Sequence, residues 1–180
     1  RTDCRNKIRF ASEMDFKFST ISSEEELRKV YASFKELGNS KGFSYRPYKS
    51  YQTIFQNGFK ENLCSVYTAS LENEIIGSIF MVKDANSFNC LSGAMILKKN
   101  LKPKYSPANK LHYIAMKDCF YKEQKPHYNL SYSDPSSSVF MFKNSFHPEE
   151  NGKPSYYTYV INKRESTWLL SLQQPLIRAL

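Results

Sequence analysis

The sequence lacks the cysteine and histidine spacings that mark a protein-bound metal. Its four cysteines, at positions 4, 64, 90 and 119, form no Cys-x-x-Cys pair, and its three histidines form no His-x-x-x-His pair. We therefore expect no metal site. Since two of the cysteines lie in apolar strand-like runs and one lies in a helical segment, we predict buried free thiols in a reducing cytosol.

Long apolar runs are also missing. No stretch approaches the roughly 18 apolar residues of a membrane-spanning helix, and the chain does not start with a secretory signal pattern. We predict a cytoplasmic protein without a transmembrane segment, with peripheral association at the inner membrane face as an alternative. The chain begins with Arg1 and not with Met, so we interpret it as a trimmed or partial chain.

Glycine is scarce and arginine is not clustered, but the chain is strongly basic. Six glycines occur in 180 residues, so a glycine-rich P-loop is not expected. The net charge is +9 with a pI of about 9.3, which favours an anionic partner such as nucleic acid, a phosphate-bearing cofactor or an acidic membrane. A basic protein without such a partner is the alternative, since the lysines are scattered.

The remaining composition is that of a folded domain. Hydrophobic residues make up 41% of the chain and aromatic residues 15%, which excludes a disordered protein. Hydrophobic periodicity predicts the element order β-α-α-β-β-β-α-β-α-β. Three meandering strands followed by a helix and a further strand indicate an α/β (α+β) fold, with a mixed sheet covered by helices on both faces.

Local signals place the predicted elements. Ser23 and Glu26 form a capping box that starts a helix, and Gly38 is the expected stop. A second helix should follow Ser50, and Ser106 should cap a third that has Pro107 in its first turn. The predicted strands are residues 16–21, 63–71, 75–83, 88–97, 127–133 and 155–162.

A lysine-rich loop precedes the third helix. Lys98, Lys99, Lys102 and Lys104 lie within seven residues, and Ser106 follows them. Because backbone N–H groups and the helix dipole favour an anion at a helix N-terminus, this loop is a candidate phosphate-binding segment. A solvated lysine loop is the alternative.

Two further segments hold candidate polar residues. In "MFKNSF", Lys143 lies among phenylalanines and could stabilise a developing negative charge, or it could be an ordinary surface lysine. Asp134 could be a general base, although Asp before Pro-Ser is more often a helix cap. The stretch "SYRPYKSYQTIF" combines cations with aromatic residues, which suits an anionic acceptor or a plain loop leading into a helix.

Four stretches together resemble the GNAT acetyltransferase superfamily, and in detail its FemAB-like branch of peptidoglycan-bridge aminoacyltransferases and related acyltransferases. They are "RNKIRFASEMDFKFSTISSEEELRKVYASF", "ENEIIGSIFMVKD", "SPANKLHYIAMKDCFYKEQKPHYNL" and "FMFKNSF". The resemblance covers essentially the whole chain. It implies a GNAT-like, mostly antiparallel twisted sheet in one acyltransferase domain, residues 1–180, which corresponds to the second half of a two-domain FemAB-like protein.

The resemblance also implies site residues. The lysine of the family's closing Phe-Lys motif corresponds to Lys143, which becomes the catalytic candidate. A cation near the start of the second helix contacts the acceptor in some members, so Lys49 or Arg46 is expected there. Tyr51 and Ser92 complete the predicted substrate-binding set, and the lysine loop with Ser106 is expected to bind the donor.

The implied reaction is acyl or aminoacyl transfer to an amine. Three positions depart from the family pattern, since Leu91, Asn129 and His147 replace its Tyr, Asp and Gly. The donor therefore stays open between acyl-CoA and aminoacyl-tRNA, and the acceptor is a small molecule or a cell-wall precursor. The rival hypothesis is a non-catalytic module that binds nucleic acid or a glycan precursor. The sequence indicates no oligomeric state.

Overall fold

The computed structural model describes residues 2–96, 105–148, 157–160 and 169–172. The chain divides into two compact units, Arg1–Ser131 and Tyr132–Leu180. The first unit contains the elements α1 (Thr2–Glu13), β1 (Lys17–Thr20), α2 (Glu24–Lys41), α3 (Tyr48–Gly58), β2 (Cys64–Leu71), β3 (Glu74–Lys83), β4 (Ser87–Met95), α4 (Ala108–Lys117), a π-helical turn (Asp118–Lys122) and β5 (His127–Asn129).

A five-stranded sheet forms the centre of the first unit, in the order β1-β2-β3-β4-β5. The first three neighbouring pairs are antiparallel, and β4 and β5 are parallel. The short turn between β2 and β3 explains their pairing, whereas parallel β4 and β5 need the long crossover through α4. The predicted mixed, mostly antiparallel sheet is confirmed.

Helices cover both faces of this sheet, as predicted. On one face, Leu27 and Phe34 of α2 and Tyr51 of α3 pack with Val66 and Phe80 of the strands. On the other face, α4 and the turn after it contribute Leu111, Ala115 and Cys119 against Tyr67, Ile79, Met81 and Phe88. Alternation of side chains along each strand separates the two apolar sets, because successive residues point to opposite faces.

The predicted capping box at the start of α2 is present, but the predicted end of the helix is wrong. The Ser23 hydroxyl oxygen accepts from the Glu26 N–H at 3.2 Å, and the Glu26 carboxylate accepts from the Ser23 N–H at 3.0 Å. The helix continues past Gly38 to Lys41 and ends at Gly42, whose φ is 73°. Glycine is needed at position 42 because L side chains are strained in that left-handed conformation.

Helix α1 is an element that sequence patterning did not predict. Its buried side chains on the first unit's core are Cys4 and Ala11, two small residues that give little hydrophobic signal. Asn109 of α4 donates to the Cys4 sulfur at 3.4 Å, which docks the two helices. The predicted buried free thiols are confirmed for Cys4, Cys64 and Cys119, while the Cys90 thiol is half-buried.

A buried lysine ties the end of β3 to the π-helical turn. The Lys83 ammonium donates to Glu123 at 2.6 Å and to Asn62 at 2.7 Å, and it lies 4.7 Å from the ring centre of Phe88. The Lys83 side chain is 2% exposed. Burial of a charge is tolerated here because carboxylate, amide and ring face all contact the ammonium.

The second unit contains α5 (Ser138–Asn144) and a two-stranded antiparallel sheet, β6 (Tyr157–Val160) with β7 (Leu169–Leu172). Ser137 caps α5 by accepting from the Phe140 N–H at 3.1 Å. Strand β7 falls in the apolar tail that the sequence did not predict as a strand. Across the described residues of both units, no helix is long and apolar enough to span a membrane, and no His, Cys, Asp or Glu cluster suits a metal ion.

Candidate functional site at the open edge of strand β4

Strand β4 extends beyond the last residue that pairs with its parallel neighbour, β5. Pairing between β4 and β5 covers three residue pairs, from Ser87↔His127 to Asn89↔Asn129. From Cys90 to Met95, β4 has no strand partner on that side among the described residues, and the Ser131 hydroxyl donates to the Cys90 carbonyl at 2.6 Å. Backbone N–H and C=O groups of a strand alternate between its two edges, so part of the backbone of this stretch faces away from β3.

A β-bulge lies at the start of this open edge. Phe80 of β3 is opposite Ser92, whereas the next residue, Met81, is opposite Cys90, so Leu91 is an extra residue in β4. Leu91 packs on the core that α2 and α3 cover. A bulge increases local twist and re-aims the side chains beside it, and bulges are frequent next to active sites.

The Tyr51 and Ser92 side chains meet beside this bulge. The two hydroxyl oxygens are 2.6 Å apart, although the residues belong to α3 and β4. The Tyr51 ring is completely buried, with ring centres of Phe34 and Phe80 at 5.3 and 5.5 Å. Burial raises the pKa of Tyr51, against a smaller lowering by Ser92 and by the charge of Arg46, so the phenol stays protonated at neutral pH.

A second tyrosine holds the same strand. The Tyr45 hydroxyl donates to the Gly93 carbonyl at 2.7 Å, and its ring stacks on Phe34 at 4.9 Å with planes 14° apart. Burial, assisted by Tyr51 and Cys90, raises the pKa of Tyr45 to about 12. Sequence reasoning missed Tyr45. The sequence feature that could have indicated Tyr45 is its position among the aromatic residues between α2 and α3. Only the fold shows that Tyr45 contacts β4.

The structure brings together three of the four predicted substrate-binding residues. Arg46 is exposed and close enough to Tyr51 to lower its pKa, and Tyr51 contacts Ser92 directly. Lys49 is exposed on the first turn of α3, where its ammonium donates to the Gln52 side chain at 3.3 Å. Of the two cations considered for the acceptor, Arg46 is therefore the one that lies beside the hydroxyl pair.

The predicted donor-binding segment is described in part. Lys98, Lys99, Lys102 and Lys104 lie outside the described residues. Ser106 is not the N-cap of α4, because Pro107 occupies that position and the helix begins at Ala108. The Ser106 hydroxyl oxygen still accepts from the Ala108 N–H, at 3.4 Å. Binding of donor phosphates by these residues stays a prediction.

Lys143 and Asp134 both belong to the second unit. Lys143 lies in the last turn of α5, and its ammonium donates to the Tyr132 carbonyl at 3.0 Å. The Asp134 carboxylate accepts from the Ser136 N–H and hydroxyl at 2.8 and 2.6 Å, and these bonds lower its pKa. Asp134 thus forms the turn before α5, and Ser137, not Asp134, is the cap. A catalytic role for Lys143 stays a prediction.

Comparisons with known proteins support the fold. The sequence profile of the acetyltransferase (GNAT) domain family matches residues 1–130. No curated protein sequence matches the chain.

Solved structures with the same fold have low sequence identity. FemX superposes with a TM-score of 0.65 at 13% identity, covering 79% of this chain and 52% of FemX. A possible acetyltransferase from Clostridium difficile 630 gives 0.63 at 10%, covering 82% and 99%. The enzyme AAC(6')-Iy, in complex with a bisubstrate analogue of CoA and acetylneamine, gives 0.57 at 10%, covering 85% and 99%.

Proposed function

Because the chain belongs to the GNAT acetyltransferase-domain family, we propose that it is an N-acyltransferase that binds its acyl donor along the open edge of β4. The observation that carries this proposal is the end of β4–β5 pairing after Asn89 and Asn129. Beyond these residues β4 continues past β5, beside the Tyr51–Ser92 pair. An extended donor can align there with β4 and hydrogen-bond to its backbone.

The chemistry needs little covalent help from the protein. The nitrogen of a neutral amine attacks the acyl carbon, and the carbonyl electron pair moves onto oxygen. The pair then returns, the bond to the leaving atom breaks, and the proton lost by nitrogen ends on that atom. The protein's contribution is to hold the two reactants together and to donate hydrogen bonds to the developing oxyanion.

Acyl-CoA is the donor that we propose. In support, AAC(6')-Iy was solved with a CoA bisubstrate analogue, and this chain covers 99% of that enzyme. The basic segment Lys98–Lys104 immediately precedes helix α4, whose N-terminus would favour the donor's phosphates. The similarity to FemX supports aminoacyl-tRNA as the second candidate, with a cell-wall precursor as acceptor.

Arg46 suggests how the acceptor is held. Arg46 is exposed beside Tyr51, on the sheet face that α2 and α3 cover. A guanidinium suits a carboxylate or phosphate, so the acceptor amine would belong to a molecule that also carries an anionic group. We propose in addition that Lys143 is a catalytic cation, as the FemAB-like resemblance implies.

A donor screen tests this proposal. Acetyl-CoA, longer acyl-CoAs and charged tRNA would each be titrated while the melting temperature and acyl transfer to a panel of amines are measured. We expect acyl-CoA to raise the melting temperature and to yield acylated product. Stabilisation by tRNA that weakens steeply with salt would favour the aminoacyl alternative.

The lysine segment provides a matched pair of variants. Lys102→Ala with Lys104→Ala should weaken acyl-CoA binding, whereas Lys35→Ala with Lys60→Ala removes the same charge from exposed sites elsewhere. Equal weakening by both pairs would contradict a local phosphate site. If nucleic acid binds but no donor of either class binds or is consumed, the chain is the non-catalytic module instead.

A further inference from the structure

The direction of the Tyr51–Ser92 hydrogen bond follows from the burial of Tyr51. A buried hydroxyl needs an acceptor for its hydrogen, and no buried side-chain nitrogen or oxygen of the described residues lacks a partner. Among the described residues, the Ser92 hydroxyl oxygen lies 2.6 Å from Tyr51 Oη, a distance across which either hydroxyl can donate. Because the buried Tyr51 hydrogen needs an acceptor and Ser92 Oγ is within reach, we assign Tyr51 as the donor to Ser92 Oγ.

This assignment determines what Ser92 can do. A serine hydroxyl has one hydrogen to donate and two lone pairs. Tyr51 uses one lone pair, so the hydrogen of Ser92 must be donated to a different acceptor. Ser92 is half-buried, follows the Leu91 bulge directly and lies in the stretch of β4 that β5 does not cover. Its hydroxyl is therefore a pre-oriented donor at the edge where the acyl group would lie.

We propose that Ser92 donates a hydrogen bond to the carbonyl oxygen of the acyl group, and that Tyr51 is the positioning residue that holds Ser92 in that orientation. The inference rests on the proposed function. As the amine nitrogen bonds to the acyl carbon, the carbonyl oxygen gains the electron pair, and the Ser92 bond strengthens. Ser92 keeps its proton throughout, and the proton of the amine leaves with the departing group.

Tyr51 suits this task because it is rigid and stays protonated. Its ring is fixed between Phe34, Phe80 and Tyr31, with ring centres 5.3 to 5.8 Å away. A donor that is already oriented stabilises charge without reorganisation, which is where such groups obtain most of their catalytic effect. Neighbouring Tyr45 does not share the role, since it donates to the Gly93 backbone carbonyl, which has no hydrogen to pass on.

The first experiment measures binding and does not depend on turnover. Acetonyl-CoA keeps the carbonyl oxygen of acetyl-CoA but cannot transfer its acyl group, and free CoA lacks the carbonyl. By calorimetry on the full chain, we expect Ser92→Ala to weaken acetonyl-CoA binding about 10-fold, the loss of one buried hydrogen bond. Binding of free CoA should be unchanged, and Ser92→Thr should restore acetonyl-CoA binding.

The second experiment measures thiol release from acetyl-CoA, with the acceptor chosen as an amine that the donor screen shows to be acylated. Ser92→Ala should lower kcat on the order of 100-fold with little change in the donor KM, as expected for loss of one oxyanion donor. Tyr51→Phe should lower kcat about 5-fold, and it should add nothing in the Ser92→Ala background. Tyr48→Phe is the control. It removes a hydroxyl of α3, the helix that carries Tyr51, but this hydroxyl donates to Glu24 of α2, so kcat should not change.

The outcomes separate this inference from the proposed function. If the wild-type chain binds acetonyl-CoA and the Ser92→Ala variant binds it equally well, the inference is wrong while the acyl-CoA proposal stands. Additive losses in the double variant would show that Tyr51 does not act through Ser92. If the wild-type chain binds neither acetonyl-CoA nor free CoA, the proposed function and this inference both fail.

Discussion

Replacing Gly38 with alanine should destabilise the protein even though alanine is the better helix former. Gly38 is buried inside α2, and a Cβ atom added there would lie 2.6 Å from the Phe43 carbonyl oxygen. That oxygen cannot easily retreat, because the Phe43 N–H donates to the Gly38 carbonyl at 3.0 Å. The same segment carries Tyr45, whose ring would be 3.4 Å from the new atom.

Two effects of opposite sign set the magnitude. Alanine in place of glycine within a helix stabilises by about 1 kcal/mol. Overpacking costs about 1–3 kcal/mol, and disturbing the Phe43 hydrogen bond costs about 1 kcal/mol more. We expect a net loss of about 2 kcal/mol. For a chain of this size, that corresponds to a fall in Tm of roughly 4–8 °C.

Urea denaturation with linear extrapolation measures this change. Asn39→Ala is the matched control, since Asn39 is the exposed next residue of the same helix and should become slightly more stable. Gly42→Ala tests backbone strain in the absence of a steric clash. The φ of Gly42 is 73°, but no atom lies within 4 Å of a Cβ added there. If Gly38→Ala raised stability by about 1 kcal/mol, the close approach of Phe43 to α2 would be refuted.

Two further predictions concern charged groups. Hydrogen bonds from Ser87, Asn86 and Asn89 hold the pKa of Asp84 at about 2. Its contribution to stability is therefore complete above about pH 4 and is lost as the pH falls towards 2, so Asp84→Asn should flatten the acid limb of a Tm–pH profile; an unchanged limb would contradict this. Lys83→Met should cost about 3 kcal/mol because Glu123 loses its close, buried cation and keeps the more distant Lys125 at 4.0 Å, and adding Glu123→Gln should recover more than half of it. Chemical denaturation measures the stability of Lys83→Met and of the double variant. Equal stability of the two would show that Lys83 and Glu123 are not energetically coupled.

Local sequence signals were most reliable where the interaction lies within a few residues. The Ser23–Glu26 capping box is confirmed because both partners lie in one helical turn. The stop at Gly38 was wrong, since glycine is there for the approach of Phe43 and not for a left-handed cap. Helix α1 was missed because its buried face consists of two small residues, Cys4 and Ala11, whose partners come from distant segments.

The sequence predicted which residues belong to the candidate site, but it did not predict how they contact one another. Arg46, Tyr51 and Ser92 were all named from the sequence, and the structure places them together. The bulge at Leu91, which shifts the register of β4 against β3, left no mark in the pattern of apolar residues. The contribution of Tyr45 was equally hidden, since its partner is a backbone carbonyl 48 residues away.

By itself, the sequence determined the fold class and the main elements of the sheet, because hydrophobic periodicity and turn chemistry act over short stretches of chain. The family was indicated separately, by the four stretches that resemble the GNAT superfamily. Only the tertiary structure decided where β4 separates from β5 and which two hydroxyls meet at that edge. Those features depend on how far each strand extends and on contacts between residues about 40 positions apart. Such contacts are set by the packing of α2 and α3 on the sheet, which no local pattern encodes.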